Sequence, residues 1–369
     1  MNDKSRRILI FSTAYLPFIG GAELALKEIT DRIKDVEFDL ITLNLSNNLL
    51  AQEDVGNIHI YRLSSGKILF PIHAFLKARM MNKNLGPYDI VFALQASYGA
   101  GAAWLYKLFN PKIKFILNIQ EGKNLIGQGF LINFFRNLII KKADTITVIS
   151  RYLGLYAKNI NPKIPVTIIP NGVDLNKFKV KSGKLKVDEK IIISVSRLVK
   201  KNGPEDLIDA FAIVKASIPN SKLLIIGAGE LEESLKSKVK NLKLDDSSSF
   251  LGEVSHNDLP KYLTEADVFV RPSLSEGLGT AFLEAMACGV PIIGTAQGGI
   301  TDFLEDKKTG LFCNVNDPKD LAEKIILLLN DGDLRNHLII SARQLVEERY
   351  NWNKIASQYQ TIFTTIWKN

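Results

Sequence analysis

The sequence predicts an α/β protein of two successive domains, each a parallel sheet with helices between its strands. Three observations predict it. Short apolar runs that read as buried strands recur through both halves of the chain. Near the start of each half, one such run leads through a short loop into a helix. In the first half it is Arg7 to Ser12 followed by Gly20-Gly21, and in the second Ile191 to Ser196 followed by Arg197 to Gly203. At 369 residues the chain is also long enough for two full cores.

In the first domain, Arg7 to Ser12 is the opening strand and Pro17 to Glu23 the loop. Leu24, Leu26, Ile29 and Ile33 mark the amphipathic helix that follows. Strand, Gly-Gly loop and helix form the opening of a Rossmann-like domain, with the helix N-terminus aimed at a ligand. The three-glycine dinucleotide fingerprint and the P-loop are both missing, which disfavours a dehydrogenase or a motor. Phe38 to Leu43, Ile58 to Leu63, Ile90 to Leu94, Phe115 to Ile119 and Thr145 to Ser150 read as further strands, and Pro71 to Asn84 as a helix. Val166 to Ile169 is a strand closed by the Asn171-Gly172 turn. Phe178 to Glu189, rich in lysine and poor in large apolar groups, reads as a solvated connector.

Ile191 to Ser196 opens the second domain, and Pro204 starts the next helix. Arg197, Lys200 and Lys201 lie between them. Cations at the carboxyl edge of such a sheet stand where a diphosphate binds. Leu223 to Ile226 and Val268 to Val270 read as strands, and Leu259 to Ala266 and Pro318 to Asn330 as helices. Asp331-Gly332-Asp333 reads as a surface turn rather than a metal-binding pair. Trp352, Ile355, Tyr359, Ile362 and Trp367 mark a last helix.

The candidate chemistry concentrates in Phe269 to Gly299. Thr280 reads as the N-cap of a helix that ends at Gly289. Gly277, Leu278 and Gly279 precede it, so a ligand can approach the free N–H groups of the helix entrance closely. Glu276 and Glu284 would repel the same anion and therefore fit another task, accepting hydrogen bonds from paired sugar or ribose hydroxyls. A diphosphate between two hydroxyl-rich rings, a nucleotide-sugar, meets both demands.

Glu276, seven residues, Glu284, then Ala285-Met286-Ala287-Cys288-Gly289-Val290-Pro291, resembles the donor-site signature of the retaining glycosyltransferases of family 4, glycosyl transferases group 1. Ile169-Pro170-Asn171-Gly172-Val173-Asp174 is also frequent in that family, and the resemblance covers nearly the whole chain. It implies the GT-B fold, two Rossmann-like domains facing across a cleft. The expected boundaries are an acceptor domain at 1–174, a nucleotide-sugar domain at 175–351, and a last helix at 352–369 crossing back onto the first domain.

The resemblance further implies roles. Arg197, Lys201 and the helix entrance would stabilise the leaving diphosphate, Glu276 would hold the donor sugar and Glu284 the ribose. Val254 resembles the segment that holds the base, and Gly20 and Gly21 the loop near acceptor and donor phosphates. Two positions depart from the family. Gln120 stands where many members carry histidine, and it is no acid or base at neutral pH. Asn202 stands where a lysine is usual, with Lys201 one residue earlier. The expected activity is retaining, metal-independent transfer from a UDP- or GDP-sugar to a glycan, lipid-linked or small-molecule hydroxyl. The competing classes are an epimerase or phosphorylase on the same architecture and a non-catalytic nucleotide-sugar binder. No cofactor, no metal and no nucleic-acid partner is expected.

The net charge of +8 arises entirely in residues 1–176, with 21 Lys+Arg against 13 Asp+Glu. This excess fits an anionic acceptor, an anionic membrane surface or a solvated face, and no block of five like charges singles one out. Arg6-Arg7 before an apolar run imitates a signal peptide, but Ser12, Thr13 and Pro17 break it. No run of 18 apolar residues exists. Cys288 and Cys313 form no disulfide framework. The expected setting is the cytoplasm, with peripheral contact at the inner membrane face through the basic N-terminal domain.

Overall fold

A computed structural model describes residues 6–18, 20–46, 48–121, 129–180 and 189–368. The chain divides into two compact units, Met1–Asn171 with Trp352–Asn369, and Gly172–Asn351. Most of the lysine-rich connector, 181–188, lies outside the described residues.

The first unit holds β1 (Arg6–Phe11), β2 (Val36–Leu43), β3 (Gln52–Val55), β4 (Ile58–Leu63), β5 (Ile90–Leu94), β6 (Lys114–Ile119), β7 (Thr145–Val148) and β8 (Val166–Ile168). Their order is β3-β4-β2-β1-β5-β6-β7-β8, parallel except for β3. β3 is an edge strand that no sequence pattern marked. Its Gln-Glu-Asp-Val has too few apolar residues to alternate, and it pairs antiparallel with β4 after a tight turn at Gly56 (φ +63°).

The strand order fixes which helices share a face. α1 (Gly21–Thr30) carries the chain from β1 to β2 in one direction. α2 (Phe70–Leu85), α3 (Tyr98–Phe109), α4 (Phe130–Lys142) and α5 (Arg151–Ile160) all step the other way. Right-handed crossovers then put α1 on one face and α2 to α5 on the other. The packing agrees. Ile8 and Ile10 of β1 join a core with α1 and Trp352, Ile355, Tyr359 and Phe363 of the last helix, while Phe11 meets Tyr106 of α3 with ring centroids 6.4 Å apart.

The second unit is a six-stranded all-parallel sheet. Its strands are β9 (Lys190–Val195), β10 (Ser221–Ile226), β11 (Ser248–Phe250), β12 (Val268–Arg271), β13 (Ile292–Thr295) and β14 (Leu311–Cys313), in the order β11-β10-β9-β12-β13-β14. Between them come α6 (Pro204–Ser217), α7 (Glu232–Asn241), α8 (Leu259–Leu263) and α9 (Thr280–Ala287), and α10 (Pro318–Asn330) and α11 (Gly332–Arg349) follow β14. Alternation along β12 serves both faces. Val268 and Val270 enter the core with α6 and α10, and Phe269 stacks edge-on with Phe282 of α9 at 5.0 Å. α12 (Trp352–Lys368) returns to the first unit, against α1.

Three local expectations are corrected. Thr280 is not the N-cap of α9. That place is held by Gly279 in a left-handed conformation (φ +92°), without side-chain capping. Asp331 is more than a turn residue: its carboxylate accepts from Leu334 N at 2.9 Å and caps α11. The connector does not begin at Phe178, which is fully buried against the His256 ring at 5.1 Å.

Candidate active site

In an open parallel sheet, ligands gather where neighbouring strands send their connections opposite ways. In the second unit that point lies between β9 and β12. The loops leaving β9 and β12, with the start of α9, carry most of the candidate residues, so most of the predicted set meets at one sheet edge.

The β9 loop begins at Arg197, which is exposed, and turns through the 3-10 segment Lys200–Asn202. Lys200 is exposed and Lys201 half-buried, and the Lys201 carbonyl accepts from Leu274 N at 2.7 Å. Asn202 is buried and bridges two loops. Its Nδ2 donates to the Arg197 carbonyl (2.7 Å), and its Oδ1 accepts from Arg271 Nη2 (3.0 Å). A lysine here would put an ammonium beside that guanidinium. The asparagine is therefore matched to Arg271, not a blank left by a lost cation.

Arg271, at the end of β12, was not singled out in the sequence. The same Nη2 donates to Oε2 of Glu276, and both side chains are about nine-tenths buried. Oε1 of Glu276 accepts from Gly277 N at 3.1 Å. Gly277, Leu278 and Gly279 are all buried and lead directly into the uncapped N-terminus of α9. This end of the sheet thus sets Arg271 and the N-terminus of α9 beside one buried carboxylate, with Arg197 and Lys201 on the neighbouring β9 loop.

Glu284, one helical turn deeper in α9, is 5 % exposed. Its Oε1 lies 2.8 Å from His256 Nε2, and His256 Nδ1 lies 2.7 Å from Lys177 Nζ. An ammonium only donates, so Nδ1 accepts and the ring proton sits on Nε2, donating to Glu284. None of the histidines stood out in the sequence. His256 is 28 residues from its partner, and its neighbours read as a loop. Val254, two residues before it, is half-buried just beyond β11.

Truncation of His256 to alanine removes one anchor of the Glu284 carboxylate. For the nucleotide-sugar that the sequence predicts as ligand, KM is expected to rise about three- to tenfold, less than the roughly ten- to hundredfold of a whole charge-assisted hydrogen bond because His256 only orients the carboxylate, with kcat within about twofold. Steady-state kinetics at varied donor checks this, and an equal fall in kcat would contradict it.

The remaining candidates belong to the first unit. Gly20 caps α1, and its N–H donates to Glu23 Oε2 at 2.9 Å. Gly21 opens the helix, exposed, and an added Cβ there would meet nothing within 4 Å. Packing does not require that glycine. Gln120 is buried and engaged at both ends: its Nε2 donates to Asn118 Oδ1 (2.7 Å) and its Oε1 accepts from Asn171 Nδ2 (2.9 Å). Asn118 in turn donates to Tyr359 OH at 2.8 Å. Asn118 therefore ties β6 to α12, and Gln120 links Asn118 to Asn171.

Cys288 and Cys313 are both buried and unbonded, and burial pushes each thiol up to about 12. Neither is a nucleophile at neutral pH. Among the described residues, no group of three or more His, Cys, Asp or Glu is placed to hold a metal ion, and no helix is long and apolar enough to cross a membrane.

Comparison with known proteins agrees with this geometry. Residues 19–177 match the model of Glycosyltransferase Family 4, and residues 176–345 that of Glycosyl transferases group 1. The chain is 31% identical over 285 residues to N-acetyl-alpha-D-glucosaminyl L-malate synthase of Bacillus anthracis, covering 74% of each. Its fold matches sucrose-phosphate synthase from Thermosynechococcus elongatus with a TM-score of 0.86 at 20% identity, over 98% of this chain and 99% of that one. It also matches Anabaena Alr3699/HepE in complex with UDP-glucose, with a TM-score of 0.81 at 18% identity, over 97% and 99%. The fold is GT-B, and the chain belongs to glycosyltransferase family 4.

Proposed function

We propose that the protein is a retaining glycosyltransferase that moves a sugar from a nucleoside-diphosphate sugar to a hydroxyl of a glycan, lipid-linked or small-molecule acceptor. The observation that carries this is the mixed charge at the β9–β12 switch point. Cations and an uncapped helix N-terminus suit a diphosphate, and the buried carboxylates of Glu276 and Glu284 suit hydroxyl-rich rings. HepE, of the same fold, has been solved with UDP-glucose, which supports a UDP-sugar as the first donor to try.

In this reading, Arg197, Lys201 and the N–H groups at Gly279-Thr280 bear the charge that develops on the diphosphate. Glu276 positions the sugar, Glu284 holds the ribose and Val254 lies by the base. The bond from the anomeric carbon to the β-phosphate oxygen breaks as the acceptor oxygen bonds to the same face of that carbon. The acceptor proton passes to the departing phosphate, so no protein nucleophile is needed. The charge is met by side chains and backbone, so a divalent metal is not required.

Incubation with UDP- and GDP-sugars and a panel of acceptors, followed by NMR of the product's anomeric signal, tests the reading. The expected product keeps the donor's anomeric configuration and forms at an unchanged rate in excess chelator. An inverted product, or complete loss of activity that magnesium restores, overturns it. Binding of donor without transfer to any acceptor would favour the non-catalytic alternative.

A further inference from the structure

The two helical faces of the first unit differ sharply. Neither α1 nor α12 exposes a large apolar side chain. The opposite layer does so along its length: Ile72 and Met80 on α2, Phe109 on α3, and Phe130, Leu131 and Phe135 on α4. These positions are not scattered. α3 packs between α2 and α4, Phe109 lies 5.1 Å from the Phe75 ring of α2, and Phe130 stacks on Phe134 at 6.3 Å. Phe130 is 81% exposed, more than any other large apolar residue described. So much contiguous apolar surface is uncommon on a chain that keeps to water.

Charge says what covers it. α2, α3, α4 and α5 contain no aspartate or glutamate, yet carry nine lysines and arginines. Arg79, Lys83, Lys141 and Lys158 are exposed among them. α1, on the other face, carries Glu23 and Glu28. A surface that meets another folded protein carries a polar rim matched in charge to that partner. One that combines aromatic and aliphatic side chains with a single positive sign matches the interface of an anionic bilayer, where rings enter the headgroup region and cations meet phosphates.

We propose that the α2–α4 face docks the protein on anionic phospholipid bilayers as a peripheral protein. This rests on no feature of the candidate active site. The test is sedimentation of the full chain with vesicles of phosphatidylcholine alone and of equimolar phosphatidylcholine and phosphatidylglycerol, at low and high salt. The protein is expected to sediment with the anionic vesicles, to be released by salt, and to stay in solution with phosphatidylcholine alone. Phe130→Ser, Leu131→Ser and Phe135→Ser together should lower partitioning about tenfold or more. Lys83→Gln with Lys141→Gln should lower it by a similar factor. Melting temperature should be unchanged, because all five side chains are exposed. If the triple variant misfolds, Phe130→Ser alone keeps the test, with a fall of about threefold. No binding to anionic vesicles at low salt, equal binding to both vesicle types, or wild-type binding by the variants overturns the proposal. So does a protein that fails to bind vesicles but forms dimers that the triple variant disrupts, since the face would then join two copies of the chain.

Discussion

Arg271→Ala is expected to lower turnover at saturating donor by about a hundred- to a thousandfold and to reduce thermal stability as well. Two effects combine. The guanidinium is the buried partner of Glu276, and removing one member of such a pair leaves a carboxylate without compensation, at about 3–5 kcal/mol. In the proposed reaction the same cation stands at the edge where the diphosphate charge would develop. A lost charge-assisted contact there costs about 1.5–3 kcal/mol, ten- to a hundredfold in rate. Nε of Arg271 is buried with no hydrogen-bond partner, so this guanidinium has a donor to spare in the conformation described. Donor binding would use it, with Glu276 passing from Arg271 toward the sugar hydroxyls.

Stability and catalysis can be separated. Arg271→Met combined with Glu276→Gln removes both charges at similar volume, and such replacements often keep or restore stability. The double variant should recover most of the melting temperature lost by Arg271→Ala but little of the turnover. Recovery of both would make the pair purely structural. Arg271→Lys should keep the charge but lose the planar contact to Asn202 and Glu276, giving an intermediate rate.

What the sequence reveals follows the distance over which each residue acts. Glu276 and Glu284 are legible because their spacing, the glycines between them and the helix after them form one local unit. Arg271 is not, because it closes an apolar run and so reads as a strand end. Its meaning comes from Asn202, 69 residues away. His256 is hidden for the same reason. The β-α alternation was readable where buried apolar runs were four residues or longer; β14 escaped because it is only three residues long, and β3 because an edge strand needs no apolar run. α11 escaped because only Leu338, Ala342 and Val346 are buried along its 18 residues, too narrow a stripe to outweigh the Asp-Gly-Asp turn signal. The asymmetry of the first unit's faces was invisible until the strand order assigned its helices to sides.

Gly298→Ala is expected to melt at a temperature about 4–16 °C lower and to lose most of its activity. Gly298 has φ +58°, and a Cβ built there would lie 2.0 Å from the carbonyl oxygen of Glu276, far inside contact distance. Gly299 makes the same approach to Gly277, at 2.1 Å from its carbonyl oxygen, and its N–H donates to the Glu276 carbonyl at 3.0 Å. This glycine pair lets the loop after β13 lie directly on the backbone that carries Glu276. A side chain must push the two loops apart, break that hydrogen bond and hold a left-handed backbone. Together these are worth about 2–4 kcal/mol. Each kcal/mol lowers the melting temperature of a domain this size by about 2–4 °C. The displaced backbone also carries Glu276 away from Arg271 and shifts the entrance of α9, so activity should fall further than the unfolded fraction explains. Gly21→Ala is the control. Its Cβ meets nothing and its backbone is not left-handed, so stability should hold or rise slightly. If Gly21→Ala is stable but inactive, the bare space at the start of α1 is occupied by substrate. If Gly298→Ala melts and turns over like the wild type, the loop after β13 does not hold Glu276 in place.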